Sequence, residues 1–183
     1  MNFIIIKINS EEQFNISKLN EAKEMQNNKK QVFEDILDKT KDIVKSSESK
    51  DKKLLKICEL LDEKIDYYNW TGFYVVDEND KDMLNLSQYV GEKTEHTRIP
   101  FGKGICGQAA ENKDTFVVPD VTQENNYLSC SINTKAEIVI PIFDNKGNIA
   151  GELDIDSHQI NPFTEEDNIY LNKICEVLTP LFS

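Results

Sequence analysis

None of the four cysteines, Cys58, Cys106, Cys130 and Cys175, pairs with another as CxxC, and the chain holds only two histidines, His96 and His158. The ligand spacing that marks a structural zinc site or a thioredoxin-like redox motif is therefore missing. No stretch approaches the ~18 consecutive apolar residues of a membrane-spanning helix. The run Phe3-Ile4-Ile5-Ile6 is too short for a signal-peptide core, and its flanks lack a basic region and a cleavage site. Positive charge is scarce, with 21 basic against 33 acidic residues and a formal net charge of -12. Such a surface repels phosphate backbones and anionic lipid, so neither nucleic acid nor membrane is an expected partner. Internal repeats and low-complexity segments are absent too. A chain without targeting signals is expected in the cytoplasm, where thiols stay reduced and a disulfide is more readily catalytic than structural.

What remains is an ordinary globular composition, 39% hydrophobic and 30% charged over 183 residues. That length predicts one domain with a core large enough to need neither disulfide nor metal. Residues 1–28 read as an extension: a short strand-like run, Phe3 to Ile8, followed by polar sequence ending in Asn27-Asn28. Two amphipathic helices follow, on Val32, Phe33, Ile36, Leu37, Ile43 and Val44, then on Leu54, Ile57, Cys58, Leu61 and Ile65. The period then changes. Trp70–Val76 and Met83–Val90 read as strands joined by an Asp77-Glu78-Asn79-Asp80 turn. After a glycine-rich turn comes a short helix, about Ile105 to Asn112, and a strand, Phe116–Val118. A loop over 120–135 leads to two strands, Ala136–Phe143 and Ile149–Ser157, around the hairpin signal Asp144-Asn145-Lys146-Gly147-Asn148. A closing helix opens on Thr164-Glu165-Glu166-Asp167, with threonine as cap and acids in the first turn. Strands between helical ends predict an α+β fold: an antiparallel sheet with helices packed mainly on one face.

Alternation in the strand Ile149–Ser157 puts Glu152, Asp154 and Asp156 on one face, opposite Leu153 and Ile155. A two- or four-residue loop before it sets Glu137 opposite Asp154 on that acidic face. Three readings fit the pattern: a solvated outer face, an oxygen-ligand metal site, or a pocket for an ammonium group. Gly102-Lys103-Gly104-Ile105-Cys106-Gly107 matches GxGxxG, but the strand-rich context lacks the alternating order of a dinucleotide fold. Its interest lies in Cys106, near a helix start whose dipole favours thiolate. Cys130 lies in a polar loop bordering the acidic strands, whereas Cys58 and Cys175 sit among leucines and isoleucines on helix faces and read as core. Trp70 and Tyr74 share one strand face, as core aromatics or as pocket walls.

Several of these stretches resemble one family. Asn69-Trp70-Thr71-Gly72-Phe73-Tyr74, Thr97-Arg98-Ile99-Pro100-Phe101-Gly102-Lys103-Gly104-Ile105-Cys106-Gly107, Val118-Pro119-Asp120-Val121, Ala136-Glu137-Ile138-Val139-Ile140-Pro141 and Gly151-Glu152-Leu153-Asp154-Ile155-Asp156-Ser157 are similar to free methionine-R-sulfoxide reductases. The resemblance runs from about residue 29 to 182 and implies a single GAF domain over 29–183, with a small enclosed ligand pocket. It implies catalysis by Cys130 as nucleophile, with Cys106 matching a second family cysteine. Trp70 and Tyr74 match residues enclosing the methyl end of the substrate, and Glu137, Asp154 and Asp156 match carboxylates holding its ammonium and sulfoxide groups. No bound cofactor is expected; an external thioredoxin-like thiol is, and the resemblance leaves room for a homodimer. Two positions depart from the family pattern. His96 stands where the family has a cysteine, usually the resolving one, and Glu152 stands where it has an apolar residue. A GAF module that binds an amino-acid-like ligand without chemistry is the alternative reading, and a divalent-cation site on the acidic face is a third.

Overall fold

The computed structural model describes residues 10–126, 128, 131 and 133–183, with side chains placed for residues 17–19 and from 23 onward. Helix α1 (Ser10–Lys45) carries no glycine or proline and is supported by surface pairs such as Asp35–Lys39 at 2.8 Å. It is one unbroken helix, so residues 10–28 continue directly into the segment with apolar periodicity. The strand-like run at Phe3–Ile8 lies outside the described residues. Helix α2 (Lys50–Lys64) follows, and then a six-stranded sheet. Its strands are β1 (Trp70–Val76), β2 (Met83–Val90), β3 (Arg98–Pro100), β4 (Phe116–Val118), β5 (Ala136–Phe143) and β6 (Ile149–Ser157). They lie in the order β3-β2-β1-β6-β5-β4, every neighbouring pair antiparallel. Both edges are three-residue strands, which leaves little unpaired backbone exposed. Helix α3 (Gly104–Asn112) sits between β3 and β4, and α4 (Glu165–Leu178) closes the chain.

The sheet separates two cores. Phe73, Ile138, Ile140, Ile142, Leu153 and Ile155 face α1, α2 and α4, where Phe33, Ile57, Leu61, Leu171 and Ile174 are buried with them. Cys58 and Cys175 are part of this core, and burial pushes both thiols well above their ordinary range. On the other face Trp70, Tyr74, Val118 and Val139 meet α3 through Ile105, Cys106, Ala109 and Ala110. Each fully buried Leu, Ile or Phe contributes about 1.5–3 kcal/mol, so the larger core carries most of the stability.

The start of α4 ties the helical layer together. Asp167 accepts from the Thr164 backbone N–H at 2.6 Å and from its hydroxyl at 2.8 Å, closing the predicted cap with an aspartate at its third position. The same carboxylate accepts from Lys29 of α1 at 2.6 Å and from the hydroxyls of Tyr67 and Tyr68 at 2.6 and 2.8 Å. Burial is the largest single influence and pushes Asp167 up; those donors together outweigh it and hold the carboxyl below its ordinary value. No described helix is long and apolar enough to cross a membrane.

The β5–β6 hairpin sets the register of the acidic strand. Its loop has five residues, Asp144–Asn148, folded around the Asp144 carboxylate, which accepts from the backbone N–H groups of Lys146 and Asn148; Gly147 takes the positive φ of 80°. An odd-length loop pairs Phe143 with Ile149 and, continued without interruption, would set Glu137 opposite Ile155 on the wrong face. A bulge beside Ala150 adds one residue, so Ile142 pairs with Gly151 and Glu137 with Asp156. The expected partner of Glu137 is thereby corrected from Asp154 to Asp156, while the shared face is kept.

Candidate functional site

Glu137, Glu152, Asp154 and Asp156 do share one face, but solvent does not reach it. Their relative exposures are 2%, 0%, 0% and 1%. The cover is not local in sequence. Helix α3 and the β1 side chains Trp70 and Tyr74 pack on this face of the sheet, and the burial of the acids rules out the solvated reading of the alternation.

Across β6 from the acids runs an aromatic wall. Trp70 pairs with Asp156, Gly72 with Asp154 and Tyr74 with Glu152. The indole folds across Gly72, where an added Cβ would lie 2.3 Å from its ring, and is flanked by Gly91 at φ +128°. It stacks on Tyr89 at 5.4 Å between centroids and on Tyr74 at 6.4 Å. The polar tips of the wall are tied to the 91–97 segment: Trp70 Nε1 donates to the Glu92 carbonyl at 3.0 Å and Tyr74 Oη to the His96 carbonyl at 2.8 Å. His96, half-exposed, therefore stands at the edge of the wall. Tyr89 was not singled out in the sequence, although Gly72 opposite it leaves the space into which the indole leans.

Cys106 enters from α3. Two glycines with positive φ, Gly102 at 78° and Gly104 at 64°, turn the chain into this helix. Asn126 clamps the turn by donating to the Gly102 carbonyl at 2.9 Å and accepting from Gly104 N at 3.2 Å. Gly107 packs where a Cβ would meet the Pro100 carbonyl at 2.4 Å. This seats the buried Cys106 thiol over the sheet, where it donates to Glu137 Oε1 at 3.8 Å. The expectation for Cys106 rested on the helix dipole and on the family resemblance; the structure adds Glu137 as its immediate neighbour. Cys130 lies outside the described residues.

Electrostatics follow from the burial. Desolvation, then the nearby Asp154, Asp156 and Glu152, push Glu137 well above the ordinary glutamate range, and the Cys106 contact opposes this more weakly. Glu152 is raised for the same two kinds of reason, burial first and Asp154 second. Glu137 Oε2 and both Glu152 oxygens are buried without a hydrogen-bond partner among the described residues. The one lysine buried among the described residues, Lys53, bonds to the Val44 carbonyl and belongs to the helical layer. A separate cleft of about 930 Å³, lined by Lys50, Val76, Phe101, Glu111 and Phe182 among others, includes none of the four acids.

Comparison with known proteins places this arrangement. Residues 47–179 match the family model described as a GAF domain. A free methionine-R-sulfoxide reductase from Neisseria meningitidis, solved in complex with its substrate, superposes with a TM-score of 0.76 at 34% identity, covering 82% of this chain and 87% of that one. The chain belongs to the GAF-domain family, among the free methionine-R-sulfoxide reductases. Curated relatives of that name include the Saccharomyces cerevisiae protein, 39% identical over 110 residues, and the Escherichia coli protein, 35% identical over 112. Those alignments take in 60% and 61% of this chain, and this chain spans only 61% and 65% of the two relatives. The α+β sheet and helices read from the sequence are those of the GAF fold.

Proposed function

We propose that this GAF domain reduces the R epimer of free methionine sulfoxide with thiols. The observation that carries the reading is the buried carboxylate cluster beside an aromatic wall, with no cationic side chain among the described residues acting on Glu152. Such a cluster suits a guest that brings its own positive charge, and a free amino acid brings an ammonium group. Trp70 and Tyr74 would enclose the methyl end, and Glu137, Asp154 and Asp156 would hold the ammonium and sulfoxide groups, as the family resemblance implies.

The chemistry divides into two thiol steps. Cys130, as thiolate, attacks the sulfoxide sulfur, and the sulfur–oxygen bond of the substrate breaks. The oxygen moves to Cys130 as a sulfenic acid, and methionine leaves with the electron pair. A carboxyl pushed above its ordinary range, as burial and the neighbouring acids push Glu137, holds a proton more readily and is suited to hydrogen-bond the departing oxygen and lend it that proton. In the second step a thiol attacks the sulfenic acid, a disulfide forms, and the hydroxyl leaves as water. With His96 in place of the family cysteine, the thiol is Cys106 or an external donor; a thioredoxin-type dithiol then reopens the disulfide.

A thioredoxin–NADPH assay on separated epimers tests this. NADPH consumption with the R epimer alone is expected, together with loss of single-turnover methionine release in Cys130→Ser. Release by the serine variant would remove Cys130 from its role. Binding of the R epimer without release under any reductant would make the domain a sensor.

A further inference from the structure

Sequence spacing offers no zinc-ligand motif, yet the fold brings potential ligands together. Cys106 from α3, Glu137 from β5 and Asp154 from β6 each bring a ligand atom, and these atoms all lie within 4.8 Å of one another among buried side chains. Cys106 Sγ stands 3.8 Å from Glu137 Oε1. In a tetrahedral site with bonds of ~2.3 Å to sulfur and ~2.0 Å to oxygen, the two ligand atoms stand about 3.5 Å apart. The spread therefore closes around an ion by side-chain rotation of roughly 1 Å, without movement of the sheet.

The second observation is Glu152. This side chain is fully buried, neither of its oxygens meets a hydrogen-bond partner among the described residues, and it neighbours both Cys106 and Asp154 closely enough to interact with each. A fully buried acid with no donor stronger than the Cys106 thiol among the described residues is costly. The family resemblance puts an apolar residue at this position, so the substrate chemistry alone does not call for it. A fourth donor beside a thiol and two carboxylates completes a four-coordinate set.

We propose that Cys106, Glu137, Asp154 and Glu152 form a binding site for a borderline-soft divalent cation of the zinc type. The thiolate sulfur selects against magnesium and calcium, which prefer all-oxygen shells with more ligands. Binding releases the thiol proton, and the cation replaces the charge that an ammonium group would otherwise supply. Occupancy thus withdraws Cys106 from disulfide exchange and excludes an amino acid from the same carboxylates. The proposal stands without the reductase reading, because its test reads the metal directly.

Cobalt(II) serves as the optical probe for the full chain, stripped by chelator and kept reduced with a phosphine. A near-ultraviolet thiolate-to-cobalt charge-transfer band is expected, saturating at one equivalent and displaced by zinc but not by excess magnesium or calcium. The band should vanish in Cys106→Ser and persist in Cys130→Ser and in Cys58→Ala. Glu152→Gln, which keeps the shape of the side chain, should weaken cobalt binding by roughly 10–100-fold. A wild type without the band overturns the site, as does a band that survives Cys106→Ser. Unchanged affinity in Glu152→Gln overturns the four-ligand set. Circular dichroism of each variant separates loss of ligand from loss of fold.

Discussion

Replacing Glu152 with glutamine should make the protein more stable at neutral pH, and increasingly so as pH rises. In the unfolded chain this carboxyl ionises near the ordinary glutamate value of about 4.3. In the folded chain burial and Asp154 raise it, so the native state keeps a proton that the unfolded state has lost. Stability therefore falls as pH climbs from the unfolded value toward the folded one, by up to about 1.4 kcal/mol per pH unit for a whole proton. From pH 5 to pH 7 the wild type loses up to ~2.7 kcal/mol through this one group. The amide has the same shape and no proton to lose, so Glu152→Gln escapes that loss. Urea unfolding of both proteins at pH 5, 6, 7 and 8, followed by far-ultraviolet circular dichroism without added metal, gives the difference directly. A difference that widens steadily from pH 5 to pH 7, by no more than ~2.7 kcal/mol, is expected. A difference that is flat with pH, or that widens toward acid, would refute the argument that this carboxyl is buried uncompensated.

Other consequences are as concrete. Asp167→Ala strands Lys29, Tyr67 and Tyr68 and should cost about 2–4 kcal/mol in urea unfolding. The Asp167 contribution in the wild type is present above the unfolded aspartate value near 3.9 and disappears as pH falls from there toward its depressed folded value, so acid unfolding should show it. Gly72→Ala drives a methyl group to within 2.3 Å of the indole, so about 1–3 kcal/mol of destabilisation and a shifted emission from Trp70, the one tryptophan, are expected. If the carboxylates hold a free ammonium, N-acetylated methionine sulfoxide should be disfavoured by about 2–5 kcal/mol in kcat/KM; equal turnover would sink that assignment.

Five of the six strands were legible because each is a run of β-branched and aromatic residues punctuated by turn chemistry, and their limits need no long-range information. Arg98–Pro100 was given no element in the sequence; it is a strand because β2 offers Asn85, Leu84 and Met83 to pair with. The helical reach of residues 10–28 was equally silent, because a polar segment without an apolar stripe looks the same in a helix and in a coil. At the site, alternation showed which acids share a face but not whether water reaches them: a solvated strand and a roofed one have the same pattern. The roof comes from α3 and the aromatics of β1, brought together by tertiary packing. The Glu137 partner was misassigned for a related reason, as a bulge leaves no mark in composition.

That bulge ties the length of a surface loop to the identity of a buried face. Gaining or losing one residue in the Asp144–Asn148 turn would rotate half of β5 against β6 and carry Glu137 into the oily layer beneath the helices, unless Ala150 were absorbed back into the ladder at the same time. Changes of two residues leave the face alone. Loop length in this hairpin thus behaves as an even–odd code, and engineered grafts at the tip should be tolerated by parity rather than by size.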